Sequence, residues 1–473
     1  MKRNLLLILA IAFMNCAQMN AQKAGYEVKM NIKGLSDATL KMAYYFGDKQ
    51  YVKDSARVDS KGNAVFRGDE SLPAGIYIAV LPNLNYFEFI MDKEQRFSLE
   101  TDTANLIKNM KVKGNKDNEL FYEYMKFASE KGKEMENLRK ELEANKGNKE
   151  LTESITARQK ALDEEMKVFK LNFINKNRDR FLSKVFLASY DPEAPEAPIL
   201  ANGRKDSLFT FNYIKKHYLD SVDFKDDRLL RTPVLGNKVK NYMERIVPQI
   251  PDSIIKAADE IIARTDPKSE IFKYLVYYIT NTYEKSKLMG MDAVFVHMAK
   301  NYYLTDKVYW IEDHQRQKIM ERVLNLQDNL IGKTAVNLKL LTPEFHQTEL
   351  HKINKEFTIV YFWDPSCGHC KKVTPKLYEF YQEKKDTYNL EVFAVYSEAD
   401  TAEWLGYLRK NDYQWINAAD LLWKTNFKLH YDIYATPVIY ILDRNKKIIA
   451  KRLDVENIED FLKNYVKNNK QKG

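Results

Sequence analysis

From Tyr26 to about Lys113, apolar and polar positions alternate as they do in half-buried strands. Tyr26-Glu-Val-Lys-Met-Asn-Ile repeats with period two, Leu40 to Phe46 and Gly75 to Leu81 are rich in β-formers, and Asp59-Ser60-Lys61-Gly62-Asn63 predicts a hairpin turn. From Asn118 to about Gln327 the period becomes helical. Leu138 and Leu142, then Leu151, Ile155, Leu162, Met166 and Phe169 recur at helical spacing on either side of Asn145-Lys-Gly-Asn148, which predicts an antiparallel helical hairpin. A long coiled-coil dimer is the weaker alternative, because Gly147 interrupts the pattern and the heptads are few. The Pro-rich stretch Asp191 to Pro198 breaks the run into a loop.

The last third alternates between the two periods. Phe357 to Trp363 is an unbroken apolar run and predicts a buried strand; Asp364, Pro365 and Ser366 end it, and a helix begins near Cys367. Leu390 to Tyr396 and Val438 to Leu442 predict further central strands, Asp443-Arg-Asn-Lys446 turns the chain into Lys447 to Ala450, and Asn457 to Val466 predicts a closing helix. The result is a βαβ unit followed by a hairpin.

Candidate chemistry gathers on that strand-to-helix turn. Cys367 falls where the first helical N–H groups lack partners and the helix dipole is positive, so its thiolate is favoured. Cys370, three residues on, is expected to be more shielded. Such a pair can close a disulfide, open it, or pass it on through a mixed disulfide. His369, when protonated, favours the thiolate and makes the pair a stronger oxidant. A structural disulfide and half of a zinc site are the alternatives, but no second Cys-x-x-Cys or His-x-x-x-His supplies the missing ligands, and we expect neither metal nor cofactor.

Residues from about Ile331 to Tyr465 resemble a thioredoxin-fold domain of the TlpA/ResA type, the extracytoplasmic thiol-disulfide oxidoreductases. Trp363 stands four residues before the first cysteine, Pro375 five after the second, Ala435-Thr436-Pro437-Val438 is similar to the loop whose cis-proline faces the disulfide, and Ile331 to Leu338 is similar to the segment that opens such domains. The resemblance implies that Cys367 attacks, Cys370 resolves, Gly368 and His369 set the potential, Trp363 shapes the apolar surround, and Thr436 and Pro437 hold the substrate chain. It also implies client proteins with thiols or disulfides as partners, and a membrane-bound redox donor or acceptor. The departures are specific. Tyr361 occupies the position of the buried acid of thioredoxins, Val373 that of a glutamate common in TlpA/ResA proteins, and Ser366 that of a tryptophan, while Gly368-His369 is the dipeptide of protein disulfide isomerase. Without those acids the proton acceptor for Cys370 is open, and the expected potential lies above thioredoxin's roughly -270 mV.

The fold class expected is multidomain α+β: a signal peptide over 1–21, a β-sandwich over 22–115, a helical domain over 116–328 and a thioredoxin-like α/β domain over 329–473. Met1-Lys-Arg followed by the apolar run Leu5 to Met14 has signal-peptide length, which points to the periplasm or cell envelope; Cys16 as a lipid anchor is the weaker reading, because Phe13-Met-Asn lacks the small residue required. The β-sandwich and helical parts resemble the modules that precede the thioredoxin domain in exported TlpA-like proteins, and are expected to be structural or docking modules. His217, Tyr218, Arg228 and Arg231 read as a structural network, and His297, His314, His346 and His351 as isolated from any metal set.

Composition changes this picture little. With 473 residues, 45% hydrophobic, there is ample material for several cores, and the formal charge of +9 is interleaved Lys and Glu rather than a basic patch. No nucleic-acid motif accompanies it. Three competing functions remain. A thioredoxin-fold peroxidase would need a Pro-x-x-x-Thr-x-x-Cys motif that is absent, a copper chaperone would need wider cysteine spacing, and an envelope binding protein could carry a vestigial pair.

Overall fold

The computed structural model describes residues 25–422 and 424–470, so the leader and Cys16 lie outside the described residues. The chain divides into two compact units, one running to Val247 together with Arg264–Ile271, the other comprising Pro248–Ala263 and Phe272 onward.

The first unit opens with eight strands: β1 (Tyr26–Lys33), β2 (Thr39–Phe46), β3 (Lys49–Arg57), β4 (Asn63–Gly68), β5 (Gly75–Val80), β6 (Tyr86–Met91), β7 (Arg96–Asp102) and β8 (Lys111–Lys113). They form two four-stranded sheets, ordered β4-β1-β7-β8 and β3-β2-β5-β6. Alternate residues of β1 (Val28, Met30, Ile32) are buried, and Phe89 of one sheet meets Phe97 of the other edge to face at 6.2 Å, so the two inner faces share one core.

The turn at Asp59–Asn63 departs from the hairpin expected. It closes locally, with Asp59 N–H donating to the Asn63 carbonyl and the Asp59 carboxylate accepting from the N–H groups of Lys61 and Asn63. Its flanking strands then part: β3 pairs with β2, and β4 with β1. The turn is a corner between sheets, because each strand finds its ladder partner elsewhere.

Helices α1 (Lys116–Ala144) and α2 (Lys149–Lys176) follow, then α3 (Phe181–Ala188), α4 (Phe209–His217) and α5 (Pro233–Asn241). The α1–α2 pair is the antiparallel hairpin expected. Leu138, Ile155 and Leu162 are sealed between them, and Asn148 caps α2 by accepting from Leu151 N–H. At its other end α1 is anchored to β6: the buried Asn118 amide accepts from Ile90 N–H and donates to Ile90 C=O, both at 2.7 Å. Each residue of the suspected network has a partner, in separate contacts: Arg228 joins Asp226 to Asp92, Arg231 joins Glu270, His217 lies 2.6 Å from Asp220, and the Tyr218 hydroxyl accepts from Asn241.

The second unit contains α6 (Pro251–Ile262), most of α7 (Glu270–Glu284), α8 (Asp292–Met298) and α9 (Asp313–Gln327). It continues through β9 (Lys339–Leu341), β10 (Gln347–Glu349), β11 (Phe357–Trp363), α10 (Cys370–Lys384), β12 (Leu390–Tyr396), α11 (Thr401–Asn411), β13 (Ile416–Ala419), α12 (Phe427–His430), β14 (Val438–Leu442), β15 (Ile448–Lys451) and α13 (Ile458–Lys470). One sheet orders these strands β10-β9-β13-β12-β11-β14-β15, with β11, β12 and β13 parallel and β14 antiparallel to β11. All seven residues of β11 are buried, because the sheet is covered on both faces. Ile359, Tyr361 and Trp363 enter the core with Leu377, Trp404 and Leu462, whereas Val360 and Phe362 enter the other with Leu338, Phe427 and Tyr440. The architecture is therefore an N-terminal β-sheet domain, a central helical region and a C-terminal thioredoxin-like α/β domain.

Candidate redox site

Strand β11 ends at Trp363, and three residues turn the chain into α10. The Asp364 carboxylate shapes the turn by accepting from Ser366 N–H at 2.8 Å and Ser366 Oγ at 2.6 Å, while Cys367 N–H donates to the Asp364 carbonyl. The helix itself starts at Cys370 with His369 as its N-cap, three residues later than the sequence suggested. Cys367 thus sits just ahead of the helix, where free N–H groups face it, and Cys370 lies inside the first turn.

That offset separates the two thiols electrically. Burial tends to raise the pKa of partly exposed Cys367, but hydrogen bonds from the backbone N–H groups of Cys370 and His369 outweigh it and bring the pKa below that of an ordinary thiol. Cys370 is fully buried, and burial pushes its pKa up to about 11. Both cysteines are free thiols, and Cys367 Sγ donates to the Thr436 carbonyl at 3.4 Å. The Thr436–Pro437 peptide bond is cis.

Around Cys370 the walls are apolar or neutral. Tyr361, in the place of the missing acid, is held protonated by burial, and its hydroxyl bonds to Thr374 Oγ1 at 2.8 Å; Thr374 in turn donates to the Cys370 carbonyl. Trp363 is fully buried, stacked on Tyr361 and 5.4 Å from Tyr407. Gly368 and His369 are exposed at the mouth. The sequence-predicted residues Trp363, Cys367, Gly368, His369, Cys370, Thr436 and Pro437 therefore lie on two segments, the β11–α10 turn and the approach to β14, brought together by the β11–β14 pairing. Val373, apolar where the resemblance would place an acid, lines a groove of about 870 Å³ with His369, Lys372, Tyr434, Pro437 and Arg452.

Sequence reasoning missed the groove's far wall. Asp432, buried, accepts from Arg322 and Arg452, each at 2.5 Å. The available signal was the polar set Arg322 and Asn325 on α9 and Asn329 just beyond it, at spacings of three and four. Among the described residues no three His, Cys, Asp or Glu side chains are gathered as a metal site requires. Nor, among them, is any helix long and apolar enough to cross a membrane.

Three stretches of the chain match family models. Residues 354–448 match the family model described as thioredoxin-like, and residues 26–121 and 139–329 match two described as domains of unknown function, DUF4369 and DUF5106. The chain is 33% identical over 91 residues to a "thioredoxin-like protein" of Haemophilus influenzae, a stretch that is 19% of this chain and spans only half the length of that relative. Among solved structures it is similar to a domain of a possible thiol-disulfide isomerase from Cytophaga hutchinsonii, with 42% identity, 30% of this chain and 97% of that one covered, and a TM-score of 0.29. It is also similar to a thioredoxin-like protein from Bacteroides caccae, with 20% identity, 57% and 98% coverage, and a TM-score of 0.43.

Proposed function

We propose that this chain exchanges disulfides with client proteins through Cys367 and Cys370, as an exported oxidoreductase of the TlpA/ResA type. The observation that carries the reading is the split between the thiols: one acidified and accessible, the other buried three residues away. The Cys367 thiolate attacks a client disulfide sulfur; that S–S bond breaks, one client sulfur leaves as thiolate and takes up a proton, and a mixed disulfide forms. Cys370 then gives up its proton and attacks Cys367 Sγ, which closes the Cys367–Cys370 disulfide and releases the second client thiol. The client gains two electrons and the protein loses them; the reverse sequence oxidises a client.

Trp363 excludes water from the pair, His369 tunes the potential, and Thr436 and Pro437 hold the client chain beside Cys367. The domain limits at about 115 and 328, and the leader that directs the chain to the periplasm or envelope, belong to the same proposal. So do a membrane-bound partner that recycles the pair and a supporting role for the first two domains.

The test is a trap. Cys370→Ser should accumulate client-linked species on non-reducing gels, and Cys367→Ser should not, with insulin reduction lost in the latter by more than about a thousandfold. Equal insulin reduction by parent and both variants would end the proposal.

A further inference from the structure

Helix α9 presents one face to the loop that leads into the redox site. Arg322 Nη1 donates to Asp432 Oδ1 at 2.5 Å, the Asn325 amide donates to the Tyr434 hydroxyl, and Asn329 just beyond the helix donates to the His430 carbonyl at 3.1 Å. The Asp328 carboxylate adds a contact of 3.1 Å with His430 Nδ1. The Arg322 guanidinium also lies over the Tyr434 ring, 5.7 Å from its centre. Residues spaced by three and four fall on one side of a helix, so α9 grips the loop with a continuous edge.

The gripped loop needs holding. Asp432 has φ of +51°, a left-handed conformation uncommon outside glycine though better tolerated by Asp than by most residues, and its partners here constrain it further. Arg322 and Arg452 supply that constraint, clamping a carboxylate whose side chain is only 1% exposed. A few residues on, the same loop delivers the Thr436 carbonyl to Cys367 Sγ and Pro437 to the groove wall. Arg322 and Tyr434 line that groove as well, above an apolar floor that includes Val438, Ile439 and Val455. At about 870 Å³ the groove has the capacity of a ligand site and suits several residues of an extended chain.

We infer that α9 is part of the redox site: Arg322 and Asn325 are positioning residues that fix the 430–437 loop as one wall of a groove for the polypeptide segment flanking the client's reacting cysteine. A helix outside the thioredoxin-like domain then helps to select clients. The inference rests on the exchange reading above and adds to it where the client lies and what holds that wall.

The experiment measures single-turnover oxidation of the reduced full chain by two probes, insulin and the small neutral 2-hydroxyethyl disulfide. Arg322→Ala should lower the ratio of the insulin rate to the small-disulfide rate about tenfold, as expected when a binding wall shifts by an ångström or so. Arg322→Lys should restore most of the ratio, and Asn325→Ala, which leaves the Asp432 clamp intact, should give a smaller drop and serves if Arg322→Ala does not fold. A ratio unchanged in the folded variants, or one not rescued by lysine, would overturn the inference while leaving exchange itself standing. Failure of the parent to react with either probe would overturn the exchange reading, and this inference with it.

Discussion

Two carboxylates, one in each compact unit, carry the same electrostatic arrangement. Asp226 accepts from Arg228 Nε at 2.8 Å and Nη2 at 2.7 Å and lies 3.1 Å from Lys184 Nζ, while Asp432 is held by Arg322 and Arg452. Their side chains are 8% and 1% exposed. In each, two cations are paired with a carboxylate that is shielded from solvent. Their surroundings differ. Around Asp226 the network runs on through Arg228 to Asp92, which fastens the turn at 227–231 to the end of β6. Around Asp432 it runs into the loop that meets Cys367. The same ion cluster is a fastener in one place and a wall of the candidate site in the other, so its chemistry alone does not disclose its use.

Replacing each acid in turn is the strongest way to break this comparison. Asp226→Ala and Asp432→Ala should each lower unfolding stability by about 3 kcal/mol, because each strands cations that were paired in a shielded place. Urea denaturation measures that loss. Insulin reduction by the folded fraction should fall only for Asp432→Ala. If both variants lost activity in proportion to stability, the distinction between fastener and wall would collapse.

A pH series sharpens the same contrast at slightly smaller scale. Burial works to raise the Asp226 pKa, but hydrogen bonds from Arg228 and Lys184 prevail and hold it down at about 2, below the ordinary 3.8. A folded-state pKa below the unfolded one adds stability that is fully present above about pH 4 and drains away as pH falls toward 2. The shift corresponds to about 2 kcal/mol. Asp226→Asn should therefore cost that much at pH 6 and progressively less at pH 3 and below, read from the difference in urea midpoints. A difference that stayed constant across that range would assign the loss to packing instead.

The sequence exposes these regions unevenly, for physical reasons. The redox turn is legible because its signals are local: an apolar run, a helix breaker and two cysteines within one helical turn. The α1–α2 hairpin is legible because Leu138, Ile155 and Leu162 keep one period through a clean break. Strand β13 is not, since Ile416-Asn-Ala-Ala is short, lacks alternation and is a strand only because β12 pairs with it. The corner at Asp59–Asn63 reads as a hairpin because the turn chemistry is that of a hairpin; strand pairing farther along decides otherwise. The Asp432 clamp joins residues 110 positions apart, and nothing in the periodicity of α9 says which loop its polar edge will meet.

His369 provides the smallest test and the limiting case of the comparison. Its imidazole is exposed, and as N-cap it makes no side-chain capping bond, whereas its backbone N–H is what acts on Cys367. Substitution keeps that N–H and removes only a solvent-screened charge. A protonated imidazole favours the thiolate and hence the reduced pair, so His369→Ala should lower the reduction potential, by less than about 30 mV. Equilibration in glutathione buffers followed by mass-shift alkylation reads the change. A fall of more than about 60 mV would mean that the side chain reaches the thiolate directly, and that a fully exposed charge here acts with the strength otherwise confined to the buried clusters around Asp226 and Asp432.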